Sequence, residues 1–156
     1  MPPADLPARF AAPAMRRRLE LIAASHRRLT GRALVPAGGD VALAMWTAPQ
    51  AILAHGTEPD PVFFFGNRAA LARFDCTIEQ LTAMPSRLTA EPAGRAARQA
   101  LLERVARDGF VDGYAGTRVS RLGRRFRIEQ ATIWDLVDPS GAVQGQTAAF
   151  ARWTDL

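Results

Sequence analysis

The sequence has one cysteine, Cys76, no lysine and a single tyrosine, Tyr114, among its 156 residues. One cysteine cannot build an internal disulfide framework or a cysteine-rich zinc site. Two histidines, His26 and His55, leave little material for a histidine metal cluster, and no metal site is expected. Long hydrophobic runs are missing as well. Val41–Trp46 and Pro61–Phe65 fall far short of the roughly 18 residues a membrane span needs. The stretch Leu19–Ala24 is interrupted by Glu20 and is too short for a secretory leader, so a cytoplasmic protein is expected. There is no Ser-His-Asp ordering, phosphate loop or dinucleotide fingerprint. With 48% hydrophobic and 22% charged residues, one globular domain is the expected form.

All 20 basic residues are arginine, and they are unevenly placed. Residues 1–32 hold seven arginines against Asp5 and Glu20, whereas residues 33–156 balance 13 arginines with 13 acids. A basic leader can be an arm for nucleic acid or a solvated helix face. No aromatic side chain is interleaved for base stacking, so the solvated face is preferred and no nucleic-acid partner is expected.

Residues 1–13, with four prolines, read as a disordered arm. From 14 to 29 the residues Met15, Leu19, Ile22, Ala23, His26 and Leu29 recur at helical spacing, and Gly31 is a stop. Met15 is an alternative start. Pro36-Ala37-Gly38-Gly39 is a linker, completing an N-terminal segment over 14–39, and the domain proper runs from 40 to 156. Asp40 caps a short helix through Trp46. Strands at Ala51–Ala54 and Val62–Phe65 flank a loop; Asn67 caps a helix at Arg68–Phe74, and Thr77 opens another with a capping box to Gln80. A longer helix spans 92–108, with Pro92 in its first turn and Ala97, Leu101 and Val105 on one face. Three strands follow, at Phe110–Arg121, Arg124–Leu136 and Val143–Trp153. In the middle one Phe126, Ile128, Gln130, Thr132, Trp134 and Leu136 alternate with Arg125, Arg127, Glu129, Ala131, Ile133 and Asp135. The expected fold is α+β: a five-stranded antiparallel sheet with helices on one face, plus the N-terminal amphipathic helix.

This order of elements resembles a PAS domain. The stretches HGTEPDPVFFFGNRAAL (55–71), PSRLTAEP (85–92) and GRRFRIEQATIWDLVD (123–138) resemble the MEKHLA family of PAS-like modules. These occur as stand-alone bacterial and algal proteins and at the C-terminus of plant class III homeodomain–leucine zipper factors; this chain resembles the stand-alone form. The resemblance covers about residues 27 to 153 and brings no established reaction or cofactor. It implies a sensing or interaction module, often dimeric, that in some cases holds a small ligand between sheet and helices. The flavin-adduct cysteine of LOV domains is not matched by Phe74-Asp75-Cys76-Thr77, and the long helix has no haem-ligating histidine.

Gln130, the one long polar side chain on its strand face, is read either as a ligand contact or as an amide satisfied by a neighbouring strand; the second reading is preferred. Trp134, Phe126 and Tyr114 are candidate walls of the same pocket, or plain core. Arg87 and Glu91 are candidates for an ion pair at its mouth, with Arg87 alternatively gripping an anion. The leading reading is a non-enzymatic sensory or interaction module with a small-molecule ligand and a homodimeric or protein partner. The alternative is a small α+β enzyme using the concave sheet, with His55 or Glu58 as acid–base group. Whether those side chains enter the cavity decides between them. The N-terminal helix must bury its stripe, and it is expected to cover the outer face of the sheet and join a two-fold dimer.

Overall fold

The computed structural model describes residues 4–91 and 94–156. In chain order these form α1 (Ala8–Ala11), α2 (Pro13–Thr30), α3 (Val41–Thr47), β1 (Ala51–His55), β2 (Phe63–Gly66), α4 (Arg68–Arg73), α5 (Ile78–Leu81), a 3-10 turn at Ser86–Thr89, α6 (Arg95–Asp108), β3 (Phe110–Val119), β4 (Arg125–Val137), β5 (Val143–Phe150) and β6 (Arg152–Asp155). The strands pair antiparallel in the order β2-β1-β5-β4-β3, with β6 on the first half of β4. The third predicted C-terminal strand is thus divided at Ala151 into β5 and β6. The expected Pro92 lies outside the described residues.

Three polar side chains cap helices where the sequence places them. The Asp40 carboxylate accepts from Leu43 N at 3.3 Å, and Thr77 and Gln80 exchange both bonds of a capping box. Asn67 does more than cap. Its Oδ1 accepts from Ala70 N and from Ile52 N, both at 3.0 Å, while Nδ2 donates to the carbonyls of Met45 (3.0 Å) and Gln50 (2.8 Å). One buried amide thereby ties α3, β1 and α4 together.

The alternation expected along β4 is broken at Gln130, which takes φ +53° and sits at a bulge. Tyr114 pairs with Ala131 but Gly116 with Ile128, so β4 carries one residue more than its partner here. One extra residue reverses the side-chain phase. Phe126 and Ile128 therefore share the inner face with Ile133, whereas Thr132, Trp134 and Leu136 turn to the outer face. The single apolar face expected from 126 to 136 is two faces. The inner one packs on α4 and α6: Phe74 meets the Phe126 ring at 5.2 Å between centroids, and Leu101 and Val105 are buried.

The outer face is covered by α2, as the amphipathic stripe requires. Leu19, Ile22 and His26 are buried, and Gly31 closes the helix in the left-handed conformation, its N–H on the Arg27 carbonyl. Trp134 Nε1 donates to the Ile22 carbonyl (3.1 Å), His26 stands edge-on to the Trp134 ring, and Val137 N donates to Ser25 Oγ (3.0 Å). The bulge makes Trp134 and Leu136 the residues turned toward α2. Residues 4–13 also differ from the unstructured arm expected over 1–13. Phe10 in α1 is fully buried, edge-on to Phe65 at 4.9 Å and against Trp46. A single aromatic with no periodic partner leaves no stripe in the sequence, yet its burial offsets the ordering of a short turn.

Candidate functional site

Between the inner sheet face and α6 lies a cavity of about 60 Å³. Leu53 of β1, Ile128 and Ile133 of β4 and Phe150 of β5 form its floor; Leu101 and Leu102 of α6 form the roof. The floor follows from cross-strand register, because Leu53 lies opposite Ala148 and Ala148 opposite Ile133. The roof follows from helical spacing. Arg98, Leu101, Leu102 and Val105 stand at i, i+3, i+4 and i+7 and share one face of α6. Ala97, which the sequence places on that face, is exposed.

Besides Thr89 and Thr147, the polar residues lining this apolar space are His55, Gln146, Arg98 and Arg118. Among the described residues none that lines it is acidic. His55 Nδ1 lies 2.9 Å from the Gly56 carbonyl, which can only accept, so Nδ1 carries the proton. Burial lowers the pKa of this imidazole, which favours the neutral ring. Arg98 donates from Nη2 to Ser86 Oγ at 2.8 Å, a neutral acceptor. Burial, and then repulsion from Arg118, brings its guanidinium down to about 10. Arg118 is held by the Thr117 carbonyl (2.8 Å) and the Tyr114 hydroxyl (3.3 Å). Register also aligns His55, Gln146 and Asp135 across three strands. Asp135 is buried, its pKa raised by desolvation, and it accepts from Gln146 Nε2 at 3.4 Å.

The residues singled out from sequence are not brought together. Gln130 is exposed at the bulge and borders a separate, more open hollow on the outer face, with His26, Arg32 and Thr132. Trp134 is sealed beneath α2. Phe126 lies on the inner face beneath the Arg73 guanidinium, 4.4 Å from its ring centre, and is not a cavity wall. Tyr114 reaches the cavity only through Arg118. Arg87 and Glu91 do not pair with each other: Arg87 binds Asp60 at 3.1 Å and Glu91 binds Arg125, each drawn to the opposite charge its own turn faces. Of the acid–base candidates, His55 lines the cavity. Glu58 is exposed, its carboxylate accepting from Val62 N; it acts on His55 through its charge but does not line the cavity. Among the described residues no group of three or more His, Cys, Asp or Glu is placed to hold a metal ion. Arg98 was legible only as a position three before Leu101 and seven before Val105.

The family profile of the MEKHLA domain matches residues 16–155. The chain belongs to the MEKHLA domain family. The Arabidopsis thaliana homeobox-leucine zipper protein ATHB-9 is 35% identical over 120 residues, which cover 75% of this chain but 14% of that protein. This MEKHLA chain thus spans about a seventh of the length of that curated relative. Its fold is PAS-like. The PAS domain of a Colwellia psychrerythraea protein superposes with a TM-score of 0.59 at 14% identity, covering 72% of this chain and 91% of that one. An RNA-binding light-oxygen-voltage receptor gives 0.59 at 16% identity, covering 72% and 31%. In this MEKHLA domain Cys76 does not line the cavity, and burial pushes its thiol up to about 11. No helix among the described residues is long and apolar enough to cross a membrane.

Proposed function

We propose that this MEKHLA domain is a cytoplasmic, non-enzymatic sensory module that binds a small ligand in the inner cavity and relays occupancy by association. The observation that carries the reading is the position of β4 between cavity and helix. Ile133 faces the cavity, and the next residue, Trp134, bonds to α2. Consecutive strand residues point to opposite faces, so a ligand that displaces Ile133 shifts the seat of α2. The signalling partner in this reading is a second copy of the chain, in a two-fold dimer that includes α2. Arginines of the leader brace the fold: Arg9 on Thr82, Arg16 on Asp40, Arg18 over Phe64, Arg28 on the Val137 carbonyl and Arg32 on Asp112. That use supports a protein and not a nucleic-acid partner for the segment.

Native mass spectrometry of the purified chain tests the ligand. A bound small molecule supports the reading, and bare protein at millimolar concentrations of candidate ligands refutes it. Sedimentation at several concentrations, with and without residues 1–32, tests the association. A full-length chain that stays monomeric throughout refutes the dimer.

A further inference from the structure

The cavity has an unbalanced charge. Arg98 projects from α6 among Leu101, Leu102 and the apolar sheet floor; Arg118, of its own sign, repels it, and the Tyr114 hydroxyl offsets this only in part. A guanidinium partly withdrawn from water gains from a compensating anion. Ser86 Oγ supplies one neutral bond to a group with five N–H donors. Arg118 is already occupied by the Thr117 carbonyl and the Tyr114 hydroxyl, and among the described residues no carboxylate lines the space.

We infer that the cavity takes a short-chain aliphatic carboxylate, its head paired with Arg98 and its tail among Leu53, Leu101, Ile133 and Phe150. This rests on reading the cavity as a ligand site, and adds the chemical class of the ligand. Size and polarity both favour it. About 60 Å³ corresponds to roughly four to six non-hydrogen atoms, at about 10–15 Å³ for each water-sized position. That is a carboxylate carrying one to three further carbon atoms. The planar guanidinium fork matches a carboxylate edge to edge. The lowered proton affinity of Arg98 is what an uncompensated charge shows, and a bound anion would reverse it. The sheet floor then excludes water from the pair.

The test uses the full chain with butyrate and its neutral isostere butyramide as probes, read by calorimetric titration and by side-chain methyl chemical shifts. The expected result is saturable butyrate binding that shifts Leu101 and Ile133 methyls, with butyramide about 10- to 100-fold weaker, the range for a charge-assisted pair. Arg98→Met loses the same factor, and Arg98→Lys recovers part of it. Equal affinity for the two probes overturns the carboxylate inference while leaving a ligand cavity in place. Silence of the cavity methyls to both probes overturns the ligand reading as well. If Arg98→Met does not fold, the comparison of the two probes on the native chain decides alone.

Discussion

Replacing Asn67 by alanine should be among the most damaging single changes outside the aromatic core. The side chain is fully buried and uses both donors and both acceptor positions, on Ala70 N, Ile52 N and the carbonyls of Met45 and Gln50. A net contribution of about 0.5–1.5 kcal/mol per bond gives roughly 2–6 kcal/mol for the four, and about 4 is expected. Water cannot readily take over, because the freed amides and carbonyls lie under α3. For a chain of this size that is a fall in Tm of roughly 8–16 °C. Urea unfolding followed by tryptophan emission reads it directly, since Trp46 and Trp134 are both buried. Asn67→Asp keeps the two acceptor roles but sets a carboxylate against two carbonyl oxygens. Its folded pKa is then raised, so its stability is retained below about pH 4 and lost as the pH rises. A Thr77→Ala control, removing an ordinary cap at α5, should cost about 1 kcal/mol. A loss below about 1 kcal/mol for Asn67→Ala would refute the view that this amide couples three elements.

Two further outcomes follow from the bulge and from the buried histidines. Gln130→Gly should raise stability by a few tenths to about 1 kcal/mol in the same urea assay, because φ +53° costs a glycine little; a loss would mean that the Gln130 side chain carries the bulge. His26 and His55 both have pKa values depressed below 6.5, chiefly by burial. Protons then bind the unfolded chain first, so their contribution is present above pH 6.5 and is lost as the pH falls through that value toward the folded pKa values. Tm measured from pH 8 to 5 should decline, and a double His26→Gln, His55→Gln variant should flatten that part of the curve.

The features that local chemistry controls were legible in the chain. Asp40, Asn67 and Thr77 announce their helices because a short polar side chain before an apolar run satisfies the free amides of the first turn. Leu19, Ile22 and His26 mark a helix that must be covered, and the strand order with its turns gives an antiparallel sheet. The quoted stretches around Gly66, Leu88 and Trp134 resemble the MEKHLA family closely enough to place the chain there. What tertiary structure alone decided is which way side chains face. A bulge depends on how many residues the partner strand offers, and a glutamine at its apex has no preference that announces it, so Phe126 and Trp134, on one face by alternation, lie on opposite faces of the sheet. Arg98 looks like surface charge, since a long side chain can end in water or in a cavity depending on what stands opposite. The polar walls of the cavity, His55, Gln146 and Arg98, are separated by dozens of residues and meet only because β1 pairs with β5 and α6 folds back across them. Periodicity fixes an element and its stripe, whereas the partner surface fixes its phase, and in this domain the phase makes the site.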